Sequence, residues 1–487
     1  LLQGDMFIGA IPSSERTKIA NKHITRLVKS ESGGGRFERI EDESEVIKLA
    51  GRGGQIDLTA EFGFPEERAA TLDRTSELAI GAGLDALRDA DIPLVMHYKD
   101  TTTGTKLRER WMLPAQYQAT TGVIFASAFP GSGAWVEEAG RFHTARAAEA
   151  RLDELKALAE RLANEGTAPA LTSELEQRVA ELEAEIAESG YTFDRKFLYR
   201  ALSFAHAQFA EYIGAKGPNT QVNAACASTT QAVAIAEAWI RAGRCERVVV
   251  ISGDDVTSDE LLEWIGAGFL TMGAAATDER VEDAATPFDR RRHGLILGMG
   301  AAAIVVEHPD SVAARGIEPI AEVLATHTAN SAFHGSRLDP SHITGAMESL
   351  IADAERRWGI DRHHIAANTV FVSHETYTPA RGGSAQSEID ALRYVFGPSA
   401  DQIVIANTKG YTGHAMGVGV EDVLAIKAME TGVVPPVPNY REPDPDLGEL
   451  NLASGGDYPI QYALRLGAGF GSQISLTLYR DVRPLGH

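Results

Sequence analysis

The chain of 487 residues contains only two cysteines, Cys226 and Cys245, which is far too few for a disulfide framework and is typical of a reducing compartment. No apolar run reaches the roughly 20 residues of a membrane-spanning helix, and the start LLQGDMFIGAIP lacks the basic region and long apolar core of a signal peptide. These absences predict a soluble, cytoplasmic protein. The chain also lacks an initial Met, which suggests a piece of a longer polypeptide.

Basic residues are scarce as well. The 46 Lys and Arg stand against 68 Asp and Glu, and the net charge of -22 argues against broad binding of nucleic acid or of an anionic membrane. An acidic partner would have to bind at a local basic patch. Hydrophobic residues make up 44% of the chain, which allows a sizeable core and excludes wholesale disorder. The length fits about three domains, or one large α/β unit built from repeated halves.

Apolar runs alternate with helical patterns along most of the chain, which is typical of a sheet buried on both faces. Residues 13–56 are polar and rich in glycine, so we expect surface loops and short helices there, followed by a helix over 71–91. Twice a strand-like segment runs through small residues into a helix, which is consistent with two similar halves. The strand-like runs are 120–129, 247–253, 301–307, 369–375 and 402–408.

Residues 141–190 differ in composition, being rich in Ala, Glu, Leu and Arg. Apolar residues spaced by threes and fours predict two antiparallel helices, joined by the link 164–172, and thus an inserted coiled-coil hairpin. Ser173 and Glu176 suggest a capping box at the start of the second helix. We expect a scaffolding or dimer-contact role for this insert. The apolar positions are Leu152, Leu155, Ala159, Leu162, Leu175, Val179, Leu182 and Ile186.

Cys226 lies between QVNAA and the helical segment STTQAVAIAEAWIRAG, so its thiol is predicted to lie near a helix N-terminus. The exposed N–H groups and the dipole there would lower the pKa of the thiol and favour the nucleophilic thiolate. A buried structural role is the alternative for such a cysteine. For Cys245, which opens an apolar strand, the structural role is the expectation.

Two histidines follow strand-like segments, where open α/β folds bind ligands. His374 ends TVFVSH, and His414 lies among glycines, five residues after Lys409. One cysteine and two imidazoles fit acyl transfer, in which a thiolate takes the acyl group and the imidazoles stabilise charge. A zinc site is the alternative, although no pair has short ligand spacing. Glycine clusters match no nucleotide-binding fingerprint.

Five segments, in order, resemble the motifs of the β-ketoacyl synthases of the thiolase fold, including the ketosynthase domains of polyketide and fatty-acid synthases. Three motifs depart from the pattern: Met299 stands where the family commonly has Glu, Glu375 and Tyr377 replace glycines of HGTGT, and Ser472 replaces the last glycine of GFGG. We expect the changes at 375 and 377 to bring bulk and charge into the path of the substrate arm. The segments are KGPNTQVNAACASTT, PFDRRRHGLILGMGAAAIVVE, HETYT, NTKGYTGHAMGVG with its sequel VVPPVPNY, and GAGFGSQ.

The resemblance implies an α/β thiolase-like fold, in which two similar βαβ halves form a layered αβαβα core. The first half would span residues 1–310, with the nucleophile and the insert, and the second half residues 311–487, with both histidines. By the resemblance, Cys226 accepts the acyl chain, while His374 and His414 drive decarboxylation of a malonyl-type extender and stabilise the enolate. Lys409, paired with Glu388, would balance the local charge.

The resemblance also implies an oxyanion hole formed by the backbone N–H groups of Cys226 and Phe470, and contacts from Thr376 and Thr378 to a phosphopantetheine arm. The expected partners are an acyl carrier protein and a second subunit, identical or related; no cofactor of the enzyme's own and no metal is expected. The product would be a β-ketoacyl thioester. The alternative is a catalytically silent subunit of the chain-length-factor type, or a scaffold that uses the insert.

Overall fold

The computed structural model of the protein describes residues 1–29, 35–164, 169–378 and 383–483. Two larger sheets and two hairpins account for the strands of these residues. The strands are β1 (Ile8–Ala10), β2 (Thr25–Lys29), β3 (Gly35–Arg39), β4 (Leu49–Gly51), β5 (Val95–Asp100), β6 (Lys106–Met112), β7 (Thr121–Ala126), β8 (Asn219–Val222), β9 (Arg247–Asp255), β10 (Leu297–Glu307), β11 (Ala321–Asn330), β12 (Thr369–Val372), β13 (Val404–Ala406), β14 (Tyr462–Gly469) and β15 (Gln473–Asp481).

Helices connect the strands and cover both sheets. Over the described ranges they are α1 (Ser13–Ala20), α2 (Leu58–Phe62), α3 (Glu66–Ala69), α4 (Arg74–Asp89), α5 (Ala115–Gln118), α6 (Ser132–Asn164), α7 (Pro169–Ser189), α8 (Phe197–Leu202), α9 (Ala205–Ile213), α10 (Ser228–Arg241), α11 (Leu262–Thr271), α12 (Val281–Ala284), α13 (Pro309–Arg315), α14 (Pro340–Trp358), α15 (Arg362–Ile365), α16 (Ala385–Phe396), α17 (Lys409–Thr412) and α18 (Val420–Thr431). The predicted helix over 71–91 is α4.

Four strands of each larger sheet follow the same order, β8-β7-β9-β10 in the first sheet and β13-β12-β14-β15 in the second. The first sheet runs β1-β4-β10-β9-β7-β8 and the second β11-β15-β14-β12-β13. In the first, β7 is parallel to β8 and β9, and β9 is antiparallel to β10; in the second, β12 is parallel to β13 and β14, and β14 is antiparallel to β15. The expectation of two similar halves is therefore met in the sheet topology. The five predicted strand-like runs are β7, β9, β10, β12 and β13.

The sheets and helices form five layers. Helices α4 and α9 pack on the outer face of the first sheet, and α14 packs on the outer face of the second, against α16. Between the sheets lie α10 and α18, each of which contacts strands of both. The N-terminal ends of these two helices meet inside the molecule, where the Thr229 hydroxyl of α10 donates to the Gly417 carbonyl just before α18 at 2.7 Å. The turn with Cys226 precedes α10, and the turn with His414 precedes α18.

The polar segment 13–56 contains more strand than predicted. Besides α1, it forms the hairpin β2-β3 and the strand β4, which joins the first sheet beside β1 and β10. The expectation of loops and short helices alone is therefore wrong, because a strand of three residues such as Leu49–Gly51 is too short to produce an alternating pattern.

The inserted segment is a pair of long helices, α6 and α7. The eight apolar positions predicted for their contact are half-buried, whereas nearly all the residues between them are exposed. The boundaries differ from the prediction: α6 begins at Ser132, and α7 begins at Pro169, so Ser173 and Glu176 lie inside the helix and form no capping box. Part of the predicted link lies outside the described residues. No helix of the described residues, including α6 with 33 residues, is long and apolar enough to cross a bilayer.

Candidate active site

The nucleophile candidate lies in a strained turn between β8 and α10. Cys226 comes two residues before the first residue of α10, and Ala225 before it has φ of 50°, a left-handed conformation unusual for a residue with a side chain. The hydroxyl of Ser228 accepts from the Ala224 N–H at 2.9 Å and donates to the Ala225 carbonyl at 2.6 Å. These bonds within the turn hold the backbone in this conformation, so that the position of the sulfur is fixed locally.

The structure brings Cys226, His374 and His414 together. The Sγ of Cys226 lies 2.9 Å from Nε2 of His414, and the rings of His374 and His414 are nearly perpendicular, with centroids 5.9 Å apart. His374 lies just beyond β12, and His414 lies between α17 and α18. One thiol and two imidazoles therefore share one small space at the contact between the two halves.

All three groups are uncharged near neutral pH. Burial raises the pKa of the Cys226 thiol to about 12, although the cation of Lys409 acts in the opposite direction. Burial, reinforced by Lys409, lowers the pKa of His414 to about 3 and that of His374 well below its ordinary value. The thiol therefore donates to the imidazole in the resting state. The prediction of a lowered thiol pKa is wrong, because the loss of hydration outweighs the helix N-terminus.

The lysine predicted to balance charge has a different partner from the one expected. Nζ of Lys409 lies 2.7 Å from Oε1 of Glu421 and donates to the His374 carbonyl at 3.3 Å. Glu388 instead accepts from the Ser373 hydroxyl at 2.6 Å and from the His374 N–H at 3.1 Å. The predicted pairing of Lys409 with Glu388 is thus wrong. Both groups nevertheless bind the backbone of His374: Glu388 accepts from its N–H, and Lys409 donates to its carbonyl.

A buried ionic network extends from Lys409 towards the second sheet. Arg465 of β14 lies 3.6 Å from Glu421 and 3.3 Å from Asp422, and Asp422 accepts from the Thr230 hydroxyl of α10 at 3.1 Å. Although burial alone would raise it, the pKa of Glu421 falls to about 2 because of Lys409 and Arg465. Sequence reasoning missed this network. The signal was an arginine inside the apolar strand YALRLGAG and an acidic pair at the start of α18.

Asp254 joins the two halves beside the site and was also missed. It is fully buried at the end of β9 and accepts from the Ser127 hydroxyl at 2.6 Å and from the N–H groups of Ala128, Phe129 and Gly417 at 2.9, 3.0 and 2.8 Å. Burial nevertheless raises its pKa to about 6. A Cβ at Gly417 would lie 2.8 Å from the Ala128 nitrogen, so only glycine fits there. This carboxylate fixes the turn that follows His414.

The turn between β14 and β15 packs against the nucleophile. A Cβ on Gly469 would lie 2.2 Å from the Ala224 carbonyl oxygen and 3.1 Å from the Cys226 nitrogen, which requires glycine at this contact. Phe470 follows directly, with its side chain 42% exposed and its ring 5.9 Å from that of Phe269. The backbone N–H groups of Cys226 and Phe470 thus belong to segments in contact. Their role as an oxyanion hole stays a prediction.

The side chains that follow His374 differ in their burial. The hydroxyl oxygens of Thr376 and Thr378 lie 3.4 Å apart. The side chains of Glu375 and Tyr377 are completely buried, and the Tyr377 hydroxyl donates to the Lys409 carbonyl at 3.2 Å. The expectation that residues 375 and 377 bring bulk and charge into the path of a substrate arm is therefore wrong, because both side chains pack into the protein.

The geometry around Cys226 is that of a hydrogen-bonded pair rather than a metal site. Within the described ranges, no group of three or more His, Cys, Asp or Glu side chains is arranged as metal ligands. The other cysteine, Cys245, is buried among apolar residues of the first sheet and α10. Its place in this core matches the structural role expected for it.

Comparison with known proteins identifies a family whose profiles match more than half of this chain. Residues 146–311 match the profile "Beta-ketoacyl synthase, N-terminal domain" and residues 320–441 match "Beta-ketoacyl synthase, C-terminal domain". The 3-oxoacyl-[acyl-carrier-protein] synthase 2 of Staphylococcus aureus (strain COL) is 29% identical over 274 residues, which are 55% of this chain and 63% of the relative. The alignment thus spans less than two thirds of that relative.

Solved structures give the fold. A β-ketoacyl synthase from Burkholderia phymatum superposes with a TM-score of 0.65 at 19% identity, over 98% of this chain and 99% of the other. A type II polyketide ketosynthase, solved in complex with its acyl-carrier protein and bound to a hexaketide, gives a TM-score of 0.63 at 21% identity, over 99% and 98%. The layered architecture described above is therefore the thiolase-like fold of ketosynthases, as predicted.

Proposed function

Because the chain belongs to the β-ketoacyl synthase family, we propose that it is a condensing enzyme, which joins an acyl group to a malonyl-type thioester in fatty-acid or polyketide synthesis. The single observation that carries the proposal is the contact of 2.9 Å between Sγ of Cys226 and Nε2 of His414, with the His374 ring beside it. A nucleophile in hydrogen-bond contact with a base is the arrangement that covalent catalysis needs.

The first step is acyl transfer to sulfur. The imidazole of His414 takes the thiol proton as Cys226 attacks the carbonyl carbon of an acyl thioester, and the proton then passes to the departing carrier thiol. The products are the Cys226 thioester and a free carrier thiol, so no charge is left in the site. The backbone N–H groups of Cys226 and Phe470 would stabilise the oxyanion of the tetrahedral intermediate.

The second step is decarboxylation and condensation. A malonyl-type thioester loses carbon dioxide, and the resulting enolate attacks the carbonyl carbon of the acylated Cys226. This breaks the bond between the sulfur and the acyl carbon, so that the sulfur leaves as a thiolate, which takes one proton from solvent, and the product is a β-ketoacyl thioester. Ring N–H groups of His374 and His414 would donate to the enolate oxygen. Because burial keeps both rings uncharged, they are weak acids that stabilise the enolate without protonating its carbon.

The substrates in this proposal are carried by an acyl carrier protein on a phosphopantetheine arm, and the enzyme supplies no cofactor or metal of its own. The hydroxyls of Thr376 and Thr378 would donate to the amide groups of the arm. The complete burial of the Glu375 and Tyr377 side chains supports this assignment, because they pack into the protein and away from solvent. A silent subunit has no comparable support, since Cys226 and both imidazoles are retained in contact.

We also propose that the enzyme is a dimer in which the free edge of β8 pairs with a second copy. Strand β8 lies at the end of the first sheet. Asn219 at its start donates to the His206 carbonyl at 2.9 Å, and the His206 ring lies 6.1 Å from that of Phe204, one of several exposed apolar side chains. When identical edge strands of two copies pair antiparallel, a two-fold axis relates the copies and the assembly is a closed dimer. The exposed side chains are Trp135, Phe193, Leu198, Tyr199, Leu202 and Phe204.

The condensation experiment uses acyl and malonyl thioesters of an acyl carrier protein. We expect release of carbon dioxide, a β-ketoacyl product, and loss of both in the Cys226→Ala variant. Absence of carbon dioxide release with all acyl lengths tried would contradict the proposal.

The assembly experiment uses light scattering. We expect a dimer mass for the native chain and a monomer mass for Leu198→Glu. The matched control Leu107→Glu, at an exposed site in β6, should remain dimeric. A monomer mass for the native chain alone would contradict the homodimer. A dimer mass that appears only when a related chain is added would indicate a heterodimer with a related subunit instead.

A further inference from the structure

Two buried carboxyl groups belong to the hydrogen-bonded cluster that precedes and follows His374 in the chain. Glu375 stands where the HGTGT motif has glycine, and both it and Glu388 are completely buried. Oε2 of Glu375 accepts from the Ser384 hydroxyl at 2.9 Å. Ser373 links the two residues, because its hydroxyl donates to Glu388 at 2.6 Å and accepts from the Glu375 N–H at 2.8 Å. The two glutamates are therefore parts of one hydrogen-bonded cluster.

Each of these carboxyl groups has an oxygen without a partner. Oε1 of Glu375 and Oε1 of Glu388 are both buried and accept no hydrogen bond from any described residue. The nearest cation to Glu375 is Arg292, whose Nε lies 3.9 Å from Oε1 but whose Nη1 donates to Asp444 at 2.6 Å. Two ionised carboxylates in such surroundings would repel strongly, because a low dielectric screens them little.

We propose that Glu375 and Glu388, linked through Ser373, form a carboxyl pair that together holds one proton and positions the backbone of His374. The cations around the pair each face another carboxylate: Arg292 faces Asp444, Lys409 faces Glu421, and Arg465 faces Asp422. Of these three cations, Arg292 also forms an ion pair with Glu375, at 3.9 Å. The surroundings can therefore accommodate one negative charge on the pair at little cost, and a second only at high cost. The titratable and charged groups that face the pair are Arg292, His374, Tyr377, Lys409, Asp444 and Arg465.

The electrostatics agree with the geometry. Burial and the neighbouring Glu388 raise the pKa of Glu375 from 4.5 to about 7, against the opposing effects of Arg292 and Ser384. Burial also raises the pKa of Glu388. The bound proton is thus lost near neutral pH, where the reaction would run.

The pair acts on His374 through the backbone. Oε2 of Glu388 accepts the His374 N–H at 3.1 Å, while Lys409 donates to the carbonyl of the same residue at 3.3 Å. Loss of the shared proton places a second negative charge beside this hydrogen bond, and the repulsion shifts Glu388 and the peptide that it holds. Decarboxylation then falls, since it depends on where the imidazole lies. Glu375 is in this account a positioning residue.

The test compares native protein with Glu375→Gln, which keeps the shape and an oxygen acceptor but cannot ionise. The kinetic arm rests on the proposed condensation. We expect the native kcat to fall about tenfold per pH unit above about pH 7, as loss of one proton requires, and this fall to be absent in Glu375→Gln. Glu375→Gly should also lack it, and the control Glu322→Gln, a surface residue paired with Arg480, should keep it.

The second arm measures stability by urea unfolding and needs no activity. Because the pKa of Glu375 is higher in the folded chain than in the unfolded one, native stability should fall as pH rises from 4.5 to about 7 and then level off. The difference in unfolding free energy between the native protein and Glu375→Gln at each pH isolates the part of this fall that is due to Glu375.

The outcomes separate the two proposals. An unchanged pH dependence in Glu375→Gln in both arms overturns the carboxyl pair. A change in stability alone overturns its positioning role. Absence of native condensation counts against the proposed function, whereas the stability arm still decides whether the pair exists.

Discussion

The two halves of the molecule hold their reactive groups by different means. Around Cys226 the turn from Ala224 to Ser228 contains no charged side chain, and backbone and hydroxyl hydrogen bonds fix it. The imidazoles of His374 and His414 lie instead beside buried ion pairs of the second half, centred on Lys409 and Glu421. The sulfur is thus positioned by local backbone geometry and the imidazoles by long-range electrostatics.

This difference suits the proposed roles. A thiol that must be acylated and released in every cycle gains from a neutral turn, because no fixed charge opposes either state. The imidazoles must stay uncharged while an enolate forms, and the cation of Lys409 beside them, together with burial, keeps their pKa values low. Changes in one half should therefore affect different steps from changes in the other.

The largest effects should separate the two imidazoles. His414→Ala removes the base that contacts sulfur, so acylation of Cys226 should slow by about 10²–10⁴-fold. His374→Ala should lower decarboxylation by a similar factor and acylation by much less, because His414 remains in contact with the thiol. Rapid-quench measurement of acylation and of carbon dioxide release would test this. Equal loss of acylation in the two variants would contradict the assignment.

The ionic network should dominate the stability of the second half. Glu421→Gln leaves Lys409 without its nearest carboxylate in a fully buried position, and we expect a loss of about 3–5 kcal/mol in the free energy of unfolding. Urea denaturation measures it. The matched control is Glu149→Gln, which breaks an exposed pair with Arg146 on the helical insert and should change stability little. Similar losses in both variants would contradict the comparison.

The pH dependence of the alkylation rate of Cys226 should show that its thiol is uncharged near neutral pH. With the pKa of the thiol raised to about 12 by burial, the thiolate fraction grows about tenfold per pH unit through the neutral range. The rate of modification by iodoacetamide should therefore rise steadily up to at least about pH 10. A plateau near neutral pH would instead indicate a thiolate stabilised by the helix N-terminus.

Relief of backbone strain should give the smallest effect. Ala225 has φ of 50°, which costs about 1–2 kcal/mol for a residue with a Cβ. Glycine removes this cost but is more flexible when unfolded, by about 0.5–1 kcal/mol, so Ala225→Gly should gain between about 0 and 1.5 kcal/mol. The control Ala227→Gly, at φ of -97°, should only destabilise. Thermal unfolding compares them, and equal destabilisation would exclude strain at Ala225.

The sequence predicted those features that depend on neighbouring residues. The buried strands appeared as apolar runs, the contact of α6 with α7 as a periodic seam, and the helix after Cys226 as a continuous pattern. The resemblance to known motifs supplied the three reactive residues. Each of these signals is contained in one short segment.

The features that escaped prediction depend on distant segments. Lys409 pairs with Glu421, near the start of α18, rather than with Glu388, and no spacing in the sequence encodes this choice. The direction of Glu375 depends on Arg292 and Ser384, which flank it in space only. The pKa of Cys226 depends on the loss of hydration around its thiol, which outweighs the helix end that the sequence does show.

The most direct test of the account is to locate the acyl group after incubation with an acyl thioester of a carrier protein. Mass spectrometry of the digested protein should find one acyl group per chain, on the peptide that contains Cys226, with none on the peptide of Cys245 and none in Cys226→Ala. An acyl group at another residue, or an unmodified protein under conditions that load a known synthase, would contradict the account.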